Sequence, residues 1–162
     1  GIREPFIAWW PGKIPSSKVG SINMESVIAG FDLPPTFMSA AGINYNPSLY
    51  DGQNMLDDLL GKQVTARAKP LFWIRPPDRP GYNGDNDPDL AIRHQNYKLL
   101  MDVDGSNKQL YDMIDDERES KNLATDPNYA QTLEKLSQEL IAWYQDYPHK
   151  IDQKIYEDAT KQ

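Results

Sequence analysis

The segment Phe6-Ile7-Ala8-Trp9-Trp10 is apolar at every position and is shut off by Pro11-Gly12. Successive side chains of a strand point to opposite faces, so a run without alternation has two faces to bury. Such strands belong in the interior of a larger sheet that is covered on both sides. An interior strand also needs a hydrogen-bonded neighbour at each edge, and this chain has few other long apolar runs to serve. The expectation is that part of the fold lies upstream of Gly1. Residues 1–12 are then either disordered or paired with another copy of the chain across an exposed edge, which points to a dimer or a rearranged N-terminal region.

The remainder of the 162 residues is long enough to bury a core without staples. Residues 13–21 read as a polar loop. Ile22 to Ala41 reads as helical with a break at Pro34-Pro35; Asp32 is placed to cap the second stretch and Gly42 to stop it. Met55-Leu56 and Leu59-Leu60 form a short amphipathic turn ended by Gly61. Leu71 to Ile74 reads as a strand, followed by a Pro-rich loop from Arg75 to Asp89. Leu90 to Arg93 and Tyr97 to Asp102 read as two strands around a tight turn, Asp104-Gly105 as a further turn, and Gln109 to Met113 as the next strand. The result is an antiparallel meander. Asp126-Pro127 starts a helix, and Tyr129, Leu133, Leu136, Leu140 and Trp143 fall at the spacing of one buried face, ending near Tyr147-Pro148. The tail from Lys150 to Gln162 is polar.

Charge narrows the function. The net charge is −7, and residues 99–162 carry 14 acidic and 7 basic side chains, which accounts for the whole imbalance. No basic patch with interleaved aromatics opposes it, so nucleic acid is a poor partner. No apolar stretch is long enough to cross a membrane. There is no cysteine, hence no disulfide, thiolate metal site or cysteine nucleophile, and two histidines, His94 and His149, cannot build a multi-histidine site. No serine sits in a nucleophile motif, and no Gly-rich phosphate cradle is present.

Three acidic stretches resemble metal loops only superficially. Asp85-Asn86-Asp87-Pro88-Asp89 lacks the Gly and Glu at the sixth and twelfth positions of a calcium loop and reads as solvated. Asp102-Val103-Asp104-Gly105 reads as a hairpin turn, and Asp115-Asp116-Glu117 as a solvated, capping-rich segment. The loop from Trp73 to Tyr82 is different. Trp73, Arg75, Asp78, Arg79 and Tyr82 sit among rigid prolines. Arginine offers permanent, bidentate donors to sulfate or carboxylate, and aromatic faces stack on sugars. Against this stands the plainer reading that Arg75 and Arg79 pair with Asp78 or with the acids at 85–89.

Several segments, in order, resemble the sulfatase family. Gly1-Ile2-Arg3-Glu4-Pro5-Phe6-Ile7-Ala8-Trp9-Trp10-Pro11-Gly12-Lys13-Ile14 is similar to that family's "GGxRxPxIxxWPGxI" segment, and Asp32-Leu33-Pro34-Pro35-Thr36-Phe37 through Ala41-Gly42 to its "DLxPTxLxxAG" helix. Asp51-Gly52-Gln53-Asn54 with Leu59-Leu60-Gly61 resembles "DGxxLxPLLxG". Leu71-Phe72-Trp73, Ala91-Ile92-Arg93 with Tyr97-Lys98-Leu99, and Leu110-Tyr111-Asp112 with Glu119 and Asn122-Leu123-Ala124 follow in the family's order. Glu4 and the doubled Trp9-Trp10 lean towards N-acetylgalactosamine-6-sulfatases.

The resemblance implies a C-terminal fragment of a formylglycine-dependent arylsulfatase. The implied fold is α+β, a small antiparallel β-sheet with a packed C-terminal helix, preceded by closing elements of the alkaline-phosphatase-like α/β domain. The implied division is 1–66 for the end of the large domain, 67–150 for the small subdomain and 151–162 for the tail. The complete enzyme would use formylglycine and calcium to hydrolyse a sulfate ester on an amino sugar or other glycan. This portion carries no catalytic residue or metal ligand, and alone is expected to be inactive. It would shape the pocket rim through Trp73, Arg75, Arg79 and His94, beside a missing N-terminal catalytic portion, in the periplasm or outside a bacterial cell. Two other readings stand beside it: a stand-alone glycan-binding or interaction module, and one subunit of a split enzyme.

Overall fold

The computed structural model describes residues 4–64, 66–75 and 87–146. The chain divides into two compact units between Lys69 and Pro70.

In the C-terminal unit, strands β1 (Leu71–Ile74), β2 (Leu90–His94), β3 (Tyr97–Met101) and β4 (Gln109–Asp112) form one antiparallel sheet in the order β1-β2-β3-β4. The register pairs Phe72 with Ile92, Ile92 with Leu99 and Leu99 with Leu110. These residues therefore share one face. Helix α3 (Ala130–Asp146) lies on it after a single 3-10 turn at Pro127–Tyr129, whose N-cap Asp126 accepts from the Asn128 N–H at 2.9 Å. Leu136 and Leu140 of α3 join Leu90, Ile92, Leu99, Met101, Leu110 and Leu123 in the core. Phe72 stacks on Trp143 with ring centroids 4.7 Å apart. The expected meander and the one-faced helix are both present.

Both tight turns use left-handed backbone. Gln95 carries φ 53° in the β2–β3 turn, and Gly105 carries φ 82° in the β3–β4 turn. The outer edge of β4 is plugged: Leu110 donates to the Asn122 side chain at 3.0 Å and accepts from the Leu123 N–H at 2.8 Å. Among the described residues of this unit, no backbone hydrogen bond reaches the outer side of β1.

The N-terminal unit has helices α1 (Leu33–Ala40) and α2 (Leu56–Leu59) joined by loops and one-turn 3-10 segments. Pro34-Pro35 sit in the first turn of α1, and Gly42, at φ 69°, ends it. Residues 6–10 form no strand: among the described residues no strand pairs with them, and Ile7 and Trp9 are 87% and 84% exposed. Two expectations need correction. Residues 22–29 are not helical; the Asn23 side chain accepts from the N–H groups of Glu25 and Ser26 in a local Asx turn that no helix follows. Asp32 occupies the N-cap position of α1 without capping it, since its carboxylate is committed elsewhere.

Candidate substrate-facing site

Strand β1 delivers Trp73 and Arg75 to the start of the Pro-rich loop. Trp73 pairs with Ala91 and is half-buried on the sheet face opposite α3, because its neighbour Phe72 takes the helix side. Arg75 closes the base of the loop. Its N–H donates to the Asp89 carbonyl at 2.7 Å, and its Nη2 reaches the Asp89 carboxylate at 3.4 Å with both side chains partly exposed. Part of the plainer reading thus holds for Arg75, which meets an acid of the 85–89 stretch. Arg79, with Asp78 and Tyr82, lies outside the described residues.

His94 stands apart from this cluster. Ile74 and Leu90 flank the loop, and His94 lies four residues along β2 at the other end of the sheet, about 13 Å away at the usual strand rise. Its register partner is Tyr97, on the helix face. Its Nδ1 lies 2.8 Å from Glu139 Oε2 of α3, and Lys135 approaches the same carboxylate at 3.9 Å. Trp73 and Arg75 are brought together; His94 ties the β2–β3 turn to the helix.

Two ion pairs, one buried in the N-terminal unit and one half-buried in the C-terminal unit, were not foreseen from the sequence. In the N-terminal unit, Arg67 grips Asp32 with both guanidinium arms, Nη1 to Oδ2 at 2.5 Å and Nη2 to Oδ1 at 3.1 Å. The same carboxylate accepts from the Ala29 and Gln53 N–H groups at 2.7 and 2.8 Å. Thr36 Oγ1 extends the knot, donating to the Asp32 carbonyl and accepting from the Met55 N–H. Gly52 is required beside it, because a Cβ there would lie 1.9 Å from the Phe31 carbonyl oxygen. In the C-terminal unit, buried Lys98 meets both oxygens of Glu119 at 2.8 and 2.6 Å. Glu119 carries φ 56° in a turn where its N–H donates to the Asp116 carbonyl. A signal was available for both: Lys98 is a lone cation in Tyr97-Lys98-Leu99-Leu100-Met101, and Asp32 a lone acid between Phe31 and Leu33.

Burial raises the phenol pKa of Tyr111 first, and Glu119 and Asp116 raise it further. Tyr97 is raised by burial and then by Asp112, Tyr129 and Asp115. Asp116 is held low by N–H and hydroxyl donors, chiefly from Lys121 and Ser120. These acids are loop organisers. The calcium ion and formylglycine that the resemblance implies do not fit this chain's own donors. There is no cysteine and no serine followed two residues later by proline. Among the described residues no group of three or more acidic or histidine side chains is arranged to hold a metal. No helix of the described residues is long and apolar enough to cross a membrane.

Comparison with known proteins fits this picture. The family described as "N-sulphoglucosamine sulphohydrolase, C-terminal" matches residues 1–146. The chain is 44% identical over 77 residues to N-acetylgalactosamine-6-sulfatase of Canis lupus familiaris, covering 46% of this chain and 13% of that protein. It is 28% identical over 171 residues to an ulvan-active sulfatase of Formosa agariphila, covering 88% and 33%. The chain thus spans a third or less of these relatives. Among solved structures, BT1596, a 2-O GAG sulfatase, aligns over 78% of this chain and 26% of its own, with 26% identity and a TM-score of 0.50. The fold is also that of Ps i-CgsB in complex with k-i-k-neocarrahexaose, with a TM-score of 0.59 at 23% identity over 83% and 27% of the two chains. A plugged four-strand meander with one packed helix, in register with the motifs quoted above and matched from end to end of the described residues, places this chain in the sulfatase C-terminal family.

Proposed function

We propose that this chain is the C-terminal portion of a sulfatase whose complete polypeptide hydrolyses a sulfate ester on a sulfated amino sugar or related glycan. The family match over residues 1–146 carries this reading. The named relatives, an N-acetylgalactosamine-6-sulfatase and an ulvan-active sulfatase, support a glycan substrate. The groups that break the S–O bond, with formylglycine and calcium, belong to the N-terminal portion; they supply the nucleophile and the stabilisation of charge on the departing oxygen. The complete enzyme works in the periplasm or outside the cell.

This chain's own contribution is the pocket rim. Arg75 fixes both ends of the loop through Asp89, so Trp73 and the loop start are held at one place on the sheet. A guanidinium is permanently charged and presents its N–H donors in a planar fork that suits sulfate or carboxylate. The half-buried Trp73 offers an aromatic surface for a sugar ring. Arg79 supplies a second cation to the same loop, while His94 acts on substrate only indirectly, by keeping the β2–β3 turn seated on α3.

The test is an assay of the isolated chain and of a chimera in which it replaces the matching third of the ulvan-active sulfatase. The isolated chain is expected to turn over neither 4-nitrophenyl sulfate nor 6-sulfated N-acetylgalactosamine. In the chimera, Arg75→Ala is expected to raise KM for the sulfated sugar about tenfold and leave the aryl sulfate little changed, the size of one lost charge-assisted hydrogen bond. Turnover by the isolated chain, or equal effects on both substrates, overturns the reading.

A further inference from the structure

We infer that Asp89 is a specificity-determining residue: set against Arg75 at the loop base, it disfavours any substrate that brings a second anionic group to the rim. A uronate carboxylate or a further sulfate is such a group. This rests on the proposed sulfatase reading and adds the charge pattern that the substrate carries.

Three observations carry it. The first is placement. Ile74 pairs with Leu90, and the Arg75 N–H donates to the Asp89 carbonyl at 2.7 Å, which carries the ladder one step further. Arg75 and Asp89 therefore stand opposite each other. Ile74 and Leu90 pack into the core on the helix side. Their neighbours alternate to the other face, so Trp73, Arg75, Asp89 and Ala91 share it at the loop end of the sheet. The second is the looseness of the pair. Nη2 of Arg75 lies 3.4 Å from Oδ1 of Asp89, with the two side chains 36% and 44% exposed. An exposed pair of this kind is weak, about fivefold at most. A substrate group can therefore take the guanidinium at small cost while the carboxylate charge stays beside it. Exposed Asp87, two residues earlier, adds a second acid on the same side of the loop opening. The third is complementarity. Arg75 only donates and ionised Asp89 only accepts. Side by side they suit a neutral group with an acceptor and a donor together: the acetamido C=O and N–H of an amino sugar, or a pair of vicinal hydroxyls. A carboxylate or sulfate has acceptors alone, so it satisfies Arg75 and offers Asp89 nothing but a like charge. A polar group left without its partner is what lets such a site reject the wrong ligand.

Two measurements test this. In the chimera with the ulvan-active sulfatase, KM for 6-sulfated N-acetylgalactosamine is compared with KM for the 4,6-disulfated sugar. Asp89→Asn removes the charge and keeps the backbone carbonyl that takes the Arg75 N–H. It is expected to lower the ratio of the disulfated to the monosulfated KM about three- to fivefold at low salt, and less at high salt. Asp89→Glu is expected to restore the ratio, which a merely structural role would not predict. The second measurement uses this chain alone and stays decisive if the chimera fails to fold. Inorganic sulfate is titrated at constant ionic strength and followed by NMR at amides 73–75 and 89–91. Asp89→Asn is expected to tighten sulfate at these amides about three- to fivefold. An unchanged KM ratio overturns the inference, as does an Asp89→Glu variant that behaves like Asp89→Asn. So do sulfate-induced shifts that are absent, or equally strong with and without the carboxylate. The rim reading fails on its own result, an Arg75→Ala effect that is equal for aryl sulfate and sulfated sugar; the sulfate titration still reports on Asp89 in that case, so the two proposals fail separately.

Discussion

The Asp32–Arg67 knot gives the sharpest quantitative expectation. Both side chains are essentially out of water, at 4% and 0% exposure. Arg67→Met keeps the length of the side chain and removes its charge. The Asp32 carboxylate is then buried with only the Ala29 and Gln53 N–H groups for support. Breaking a buried pair from one side costs about 3–5 kcal/mol, because the remaining charge is uncompensated. Asp32→Ala strands more: the Arg67 cation and both of those backbone donors, each worth about 1 kcal/mol or more when buried without a partner. Asp32→Ala is therefore expected to be the costlier change. Replacing both, as Asp32→Leu with Arg67→Met, is expected to cost less than the two single changes added. Native-state hydrogen exchange at the amides of Gln53 and Met55 is the assay, with amides of β2 and β3 as the internal reference. At roughly 1.4 kcal/mol per decade, Arg67→Met is expected to lower protection at Gln53 by about two to three and a half decades, or to the limit set by unfolding of the unit. A loss below tenfold, or a larger effect for Arg67→Met than for Asp32→Ala, refutes the argument that the carboxylate organises the knot.

Other outcomes follow from the same coordinates. Gly52→Ala places a Cβ 1.9 Å from the Phe31 carbonyl oxygen, a backbone atom that cannot step aside; the N-terminal unit is expected to become sensitive to limited proteolysis while the β-sheet unit stays resistant. Leu140→Ala, at a fully buried position, is expected to destabilise the C-terminal unit by about 2–5 kcal/mol in urea unfolding. Tyr97 and Tyr111 hold their protons more tightly folded than unfolded, so their contribution is intact below about pH 10 and is lost as pH climbs through the raised folded values. Near-ultraviolet phenolate absorbance is expected to rise later for these two tyrosines than for free tyrosine, and Tyr111→Phe to soften the alkaline loss of stability. Asp116 acts at the other end of the scale: its lowered pKa means that its contribution, present above the ordinary carboxylate range, fades as pH falls through the folded value, which Asp116→Asn is expected to blunt in acid unfolding.

The meander was legible because its signals are local. Short apolar runs at Leu90-Ala91-Ile92 and Leu99-Leu100-Met101 are bounded by turn residues, and Asp104-Gly105 supplies left-handed backbone at the turn. The stripe from Tyr129 to Trp143 was equally local, and it matches the face that packs. Asp32 was misread because its position before Pro34-Pro35 looks the same whether the carboxylate caps the helix or meets a cation 35 residues away. Residues 22–29 were misread because the helical reading of Ile22 to Ala41 ran on from α1, while Asn23 closes a local turn on Glu25 and Ser26 instead. The rim residues were found by type and not by arrangement: the sequence grouped His94 with Trp73 and Arg75, and only the register separates them to opposite ends of β2. Lys98 and Glu119 lie 21 residues apart across a loop, a separation no periodicity encodes.

The stopper that Asn122 and Leu123 place against β4 limits what the sheet can recruit. With one side sealed, the edge of the four-strand sheet that meets no backbone partner among the described residues of this unit is β1. Two molecules meeting there would satisfy each other and leave no free end, so growth halts at a closed pair. A fibre needs two sticky ends per subunit, so a stopper on β4 blocks open-ended growth. Loss of the Asn122 side chain would free the Leu110 N–H and loosen that stopper while the Leu123 N–H still holds the Leu110 carbonyl.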